Sequence, residues 1–186
     1  MAHAAQQEYI ETVKNQYKSY FIGKKVLDCG SLDINGSNRS FFEDCEYTGI
    51  DVGEGANVDI VSTIHEFDAA NETYDVVICT ETAEHDQYYP QSLANMMRML
   101  KSGGLFIFSC ATTGRKEHGT RRTSPHKCPL TQDIGDWGDY YKNLTEEDIR
   151  EVLDIEGTFS EFKFESIIET PENKVSSDLR LHGVKR

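Results

Sequence analysis

Residues 24–51 read KKVLDCGSLDINGSNRSFFEDCEYTGID, and the reading of this stretch decides the fold. Val26-Leu27 open an apolar strand that runs into Asp28-Cys29-Gly30. A loop of small and polar residues follows, with Ser31, Asp33, Asn35, Gly36 and Ser37. A short amphipathic segment around Phe41-Phe42 leads to a second strand, Tyr47 to Ile50, which ends on Asp51. Strand, glycine loop, helix and a second strand tipped by an acid is the layout of a nucleoside-binding βαβ unit. Asp51 stands twenty-one residues past Gly30. That matches the offset of about 20 residues at which an acid reaches ribose hydroxyls. The plainer alternative is an ordinary tight βα turn with Asp51 as a helix cap.

The nucleoside is not a dinucleotide on this reading. A G-x-G-x-x-G loop needs a second glycine so that the backbone can approach a pyrophosphate, and Leu32 stands there instead. No Gly-Lys-Ser/Thr triplet follows, which argues against a P-loop. The remaining features suit a ligand without phosphates: Asp28 for an ammonium group, loop amides and hydroxyls for a carboxylate, Asp51 for a ribose. Gly30 to Ser37 also reads G-S-x-D-x-N-G-S, and in this the stretch resembles the first two motifs of a compact subgroup of class I S-adenosylmethionine-dependent methyltransferases. The resemblance extends from about Lys24 to the end of the chain. It implies S-adenosylmethionine as cofactor and a Rossmann-like three-layer α/β sandwich. The sheet would be mostly parallel and seven-stranded, in the order 3-2-1-4-5-7-6, with one antiparallel strand near the C-terminus.

Composition sets the outer bounds. The 186 residues are enough for one domain with a full core, and one methyltransferase domain over 1–186 is expected. No apolar run approaches a membrane span, and no signal-peptide pattern opens the chain, so a cytoplasmic protein is expected. The net charge of −13, from 32 acids against 19 bases, argues against nucleic acid as partner. A local basic patch at Lys116, Arg121, Arg122 and Lys127 is the exception. The five cysteines are scattered, with no C-x-x-C pair, and read as reduced and mostly buried.

Along the chain, Tyr9, Ile10, Val13, Tyr17 and Phe21 recur at helical spacing and predict an N-terminal helix within residues 1–23. Val58 to Val61 is a short third strand, and Thr63 and Ile64 fall just past its tip, where a base would be held. Tyr74 to Thr80 is a continuous apolar strand. It ends in the polar cluster Glu81, Glu84, His85 and Asp86, and E-x-x-E-H after the fourth strand is common in the class it resembles. Residues 89–101 predict a helix, with Pro90 in its first turn and a stop at Gly103-Gly104. The turn L-K-S-G-G there resembles the class's L-K-P-G-G, with Ser102 in place of proline. Leu105 to Cys110 is the next strand. Residues 111–143 carry no periodicity and should arch over the carboxyl ends of the strands as an acceptor-binding lid. Thr145 to Asp148 caps a helix with Ile149, Val152 and Leu153 on its apolar face. Two closing strands, 159–168 and 179–184, joined by a turn at Pro171 and Asn173, form a hairpin.

The predicted cofactor residues are Asp28, Gly30, Ser31, Asn35, Gly36, Asp51, Thr63, Ile64 and Thr80. Transfer of a methyl group to an O or N atom of a small-molecule acceptor needs at most a base, and His85 and His118 are the candidates. For both, packing or capping is the plainer role. Some O-methyltransferases of this broad class hold a divalent cation through E-x-x-E-H and a later histidine, a place open to His118 or His126. Many such sequences bind nothing, and no metal is assigned at this stage. A cofactor-binding regulatory module without turnover, or a nicotinamide-dependent oxidoreductase, is the alternative. Oligomeric state is not legible.

Overall fold

The computed structural model describes residues 4–170 and 177–186, so the turn expected at Pro171 and Asn173 lies outside the described residues. Seven strands form one sheet: β1 (Lys25–Cys29), β2 (Glu46–Asp51), β3 (Ile60–Val61), β4 (Tyr74–Thr80), β5 (Leu100–Ala111), β6 (Phe159–Ile167) and β7 (Asp178–Lys185). Their order is β3-β2-β1-β4-β5-β7-β6. The first five pair in parallel, and β7 lies antiparallel to both β5 and β6. The predicted sheet order is therefore the observed one.

The layers follow from the strands' two-residue alternation. Val26, Val76, Ile78, Leu105 and Ile107 point to one face, against Tyr9, Ile10 and Val13 of helix α1 (Ala4–Gln16). Leu27, Val77, Cys79, Phe106 and Phe108 point to the other. There they meet Leu93, Met96 and Met97 of α2 (Tyr89–Met99), Ile149 of α3 (Glu146–Val152) and Ile155 of α4 (Ile155–Thr158). Strands covered on both faces are uniformly apolar, which is why Val76 to Cys79 of β4 and Leu105 to Phe108 of β5 are continuous apolar runs. Full burial of one such Leu or Met contributes about 1.5–3 kcal/mol.

Two local expectations are corrected. The βαβ helix after the glycine loop is a single 3-10 turn, Asn38–Phe41. Asn38, Arg39 and Ser40 are weak helix formers, and the neighbouring aromatics are drawn to the α1 side, where Phe42 stacks on Phe21 at 4.6 Å. Helix α2 ends at Met99 with an extended Leu100, and Gly103-Gly104 lie inside β5 rather than at the helix stop. A Cβ on Gly104 would come 3.0 Å from the Asp75 carbonyl oxygen, so this glycine serves a close strand approach. It lies beside the register shift at Tyr74/Val76.

The stretch after β5 runs over the carboxyl ends of the strands in three short 3-10 turns, Pro125–Lys127, Pro129–Thr131 and Trp137–Asp139. Its two ends are tied together. Leu144 N donates to Ala111 O at 3.0 Å, and Thr112 Oγ1 donates to Leu144 O at 2.6 Å.

Candidate functional site

At the carboxyl ends of β1, β2 and β4 a cleft of about 640 Å³, counting the space open to solvent at its mouth, separates the sheet from the lid. Parallel sheets of this order place their crevice where the strand order reverses, here between β1 and β4. Gly30 forms part of its lining with φ +83°, and a Cβ on it would overlap the Thr82 hydroxyl. Only glycine combines that backbone with that contact.

Asp51 lies on the wall at the tip of β2. Leu32 N donates to its Oδ2 at 3.1 Å and Val52 N to its Oδ1 at 2.8 Å. Each oxygen keeps acceptor capacity for a further donor. Burial raises its carboxyl above the ordinary range. Leu32, Val52 and Ile64 give the sheet side an apolar wall, and Leu130 and Trp137 give the lid side another.

Of the predicted cofactor residues, the structure brings Gly30, Asp51 and Ile64 to the lining. Asp28 is 1% exposed beneath it. Tyr47 Oη donates to Asp28 Oδ2 at 2.7 Å, and Asn38 Nδ2 to Oδ1 at 3.3 Å. Thr80 Oγ1 accepts from Asn38 Nδ2 and from Gln6 Nε2, both at 3.0 Å. Asp28 and Thr80 thus share one buried network that fastens α1 and the glycine loop to the sheet. Gln6, Asn38 and Tyr47 are the members that sequence reasoning did not single out. Ser31 donates to Asn57 O at 3.0 Å, Gly36 N donates to Asp33 Oδ1 at 2.7 Å, and Asn35 is exposed. Thr63 donates to Glu66 Oε2 at 2.9 Å.

The polar end of the cleft is built from the tip of β4 and the lid. Glu81 has φ +54°, a rare backbone for a non-glycine residue. Its Oε1 accepts from Ser109 Oγ at 3.1 Å, and its Oε2 lies 3.4 Å from Arg115, which also pairs with the buried Asp178 at 2.7 Å. His85 lines the cleft, and His118, on the lid, packs against His85, the two rings meeting edge to face at 5.1 Å. Tyr141 packs on both. The imidazole of His85 is held down to about 3 by burial first and by His118 second. Burial also lowers His118, against the pull of the Lys116 carbonyl. Glu84 is wholly buried, and burial, with the charge of Glu81, pushes its carboxyl well above the ordinary range. Gly119, φ +71°, presses the lid onto His85, since a Cβ there would lie 2.7 Å from His85 Cε1.

The basic patch expected at residues 116–127 is mostly consumed inside the lid. Arg121 donates to Gln132 O and Gly135 O and pairs with Asp139, and Arg122 pairs with Glu117 and Asp139. Lys127 instead lines the cleft, with Cys128 to Thr131 beside it. No periodicity in the sequence marked these lid residues. His65 packs against Tyr88 at 4.3 Å and Trp137 at 6.4 Å.

No curated protein matches this sequence. Among solved structures, phosphoethanolamine N-methyltransferase 2 of Haemonchus contortus is similar with a TM-score of 0.63 at 15% identity, over 96% of this chain and 52% of its own. The chain thus spans about half the length of that protein. A 1,6-didemethyltoxoflavin-N1-methyltransferase of Burkholderia thailandensis is similar with a TM-score of 0.58 at 14% identity, over 100% and 92%. A SAM-dependent methyltransferase of Archaeoglobus fulgidus is similar with a TM-score of 0.60 at 16% identity, over 97% and 94%. At such identities the likeness is one of fold. Residues 27–108, which hold β1 to β5 up to the lid, match the family model described as a methyltransferase domain. Residues 27–108 thus match a methyltransferase domain, and the sheet around them has the order that the resemblance to class I S-adenosylmethionine-dependent methyltransferases implied.

Proposed function

We propose that the chain transfers a methyl group from S-adenosylmethionine to an O or N atom of a small-molecule acceptor. The observation that carries this is the cleft itself, with Asp51 on one wall, Gly30 beside it and the buried imidazole of His85 in its lining. The residues fit the cofactor. Asp51 would accept from ribose hydroxyls, and the apolar walls suit a base. Similar folds carry small acceptors, since the Haemonchus protein has also been solved with phosphomonomethylethanolamine and the Burkholderia protein with 1,6-didemethyltoxoflavin.

When bound, the cofactor supplies an electrophilic methyl group, and little covalent chemistry is left to the protein. The chain's part is positioning and exclusion of water. Trp137 and Leu130 close the lid side against solvent. His85 is neutral at pH 7 because burial disfavours its cation, so its imidazole can accept a hydrogen bond from an acceptor hydroxyl or amine and orient it. His118 stands behind it, with Nδ1 3.0 Å from the Lys116 carbonyl oxygen.

Calorimetric titration of the purified chain with S-adenosylmethionine, S-adenosylhomocysteine and NAD tests the reading. Micromolar binding of the sulfur ligands, weakened at least about tenfold in Asp51→Ala by loss of one charge-assisted hydrogen bond, is expected. Binding of NAD in preference to either sulfur ligand, or no binding at all, overturns it.

A further inference from the structure

We propose that Lys127 makes the lid side of the cleft selective for an acceptor that carries an anionic oxygen group, a carboxylate or a phosphate, on an apolar body. Lys127 is the one lysine or arginine in the lining of the cleft. Among the described residues its ammonium has no carboxylate within ion-pair distance and no hydrogen-bond acceptor. That the anion is a methyl acceptor rests on the methyl-transfer reading. The anion subsite itself does not.

The other lysines and arginines of the lid are either engaged or lie elsewhere. Arg115 pairs with Glu81 and Asp178, Arg121 and Arg122 with Asp139, and Lys142 with Asp148. Lys116 is exposed and absent from the lining. The acids of the lining are answered as well. Two backbone amides donate to Asp51, and Ser109 and Arg115 donate to Glu81. Ser92 Oγ and Tyr88 N donate to Asp86 at 2.5 and 2.8 Å. Lys127 is therefore the charged group of the lining that lacks a counterpart. In a chain with 32 acids and 19 bases, carboxylates are plentiful, and this ammonium has none beside it. A half-buried ammonium has lost part of its hydration, and an anion brought by a ligand replaces it.

The backbone fixes where this charge stands. Lys127 closes the 3-10 turn Pro125–Lys127, in which the proline ring restricts the chain. Lys127 N donates to Ser124 O at 3.0 Å and Cys128 N to Pro125 O at 3.1 Å. Gln132 Nε2 then holds Cys128 O at 2.7 Å and Gly119 O at 2.9 Å, so the turn is clasped to the stretch that presses on His85. A cation on a turn already ordered loses less freedom when it meets its partner. Its charge is felt near the tip of β4. His118, lowered first by burial, is lowered further by the charges of Arg115 and Lys127, and the His118 ring packs on His85. Lys127 thus stands toward the end of the cleft where His85 would orient an acceptor, and it forms no ion pair with Asp51 on the other wall. Pro129, Leu130 and Trp137 supply apolar surface in the same lid lining. One fixed cation amid apolar surface suits a small ligand with an apolar body and one anionic group.

Trp137 is the sole tryptophan of the chain and lines this cleft, so its emission reports on the site directly. The test follows that emission in the full chain, with and without saturating S-adenosylhomocysteine, during titration with benzoate against benzamide and with phenyl phosphate against phenol. The anionic member of each pair should bind at least about fivefold more tightly, the gain that one partly solvated charge-assisted pair supports. Lys127→Met and Lys127→Gln should erase that preference, Lys127→Arg should keep it, and Lys116→Met should leave it unchanged. Because Lys127 makes no ion pair within the chain, both neutral variants should melt with the wild type. A preference absent from the wild type, or one that survives in both neutral variants, overturns the role of Lys127. So does an affinity for S-adenosylhomocysteine that falls in Lys127→Met while 5′-methylthioadenosine, which lacks the amino-acid part, binds as before, since Lys127 would then hold the cofactor's own carboxylate. Binding of S-adenosylhomocysteine with no preference for the anions removes the anion subsite and leaves methyl transfer standing. A preference for the anions without binding of S-adenosylhomocysteine supports the subsite and removes the methyl-transfer reading.

Discussion

Asp28 is 1% exposed, and burial lifts its carboxyl to about 6 even though Tyr47 and Asn38 both donate to it. Its value in the folded chain lies above the unfolded one, so the folded state holds the proton more tightly. The stability it contributes is present in full below about pH 4 and is lost as pH rises toward 6. A shift of about 2 units corresponds to about 3 kcal/mol. Urea unfolding of wild type and Asp28→Asn across pH 4 to 7 should show the wild-type advantage shrinking by up to that amount. A difference that stays constant would remove Asp28 from the account. The sequence marked Asp28 and Asp51 alike, as acids at strand ends. It could not tell that one faces the cleft and the other is roofed by Tyr47 and Asn38, because that depends on where a 3-10 turn carries Asn38. Nor could it pair His118 with His85, since no local pattern records which way a lid folds back.

Elements were legible where one periodicity ruled and were misread where geometry was set by neighbours. The strand at Tyr74 to Thr80 and the stripe of α2 announce themselves, because every residue on the buried face must be apolar. The helix expected around Phe41 was overruled by the pull of the α1-side core on Phe42. The start of α3 was read correctly down to its chemistry. Thr145 Oγ1 accepts from Asp148 N at 3.2 Å, and Asp148 Oδ2 accepts from Thr145 N at 2.8 Å. Thr145→Ala should therefore cost about 1 kcal/mol in chemical unfolding and leave cofactor affinity untouched. A change in affinity would mean that the helix start communicates with the cleft. The lid is held differently. Arg121 alone ties Gln132, Gly135 and Asp139. Arg121→Ala should raise the rate of proteolytic cutting within residues 121–140 at nearly unchanged global stability, as expected of a locally opening unit. Unchanged cutting would show that Leu130 and Trp137 hold the lid by themselves.

At the scale of the whole molecule, a net charge of −13 opposes compaction. The melting temperature should rise between about 20 mM and 300 mM NaCl as that self-repulsion is screened, and a flat response would mean that the ion pairs lost to salt offset the gain. The sheet order was the most legible feature of all, because the resemblance carried by Gly30 to Ser37 implied it, and the closing hairpin agreed with it. The cleft's polar end was the least legible, because it is assembled from segments far apart in sequence. The lid leaves and rejoins the sheet at nearly one point, where Thr112 and Leu144 are bonded across its base. For protein engineering that makes residues 112–143 a transplantable cassette. A lid of different length and lining, grafted between the same two anchors, would keep Gly30 and Asp51 on the sheet side of the cleft and bring its own outer wall, and with it its own choice of acceptor.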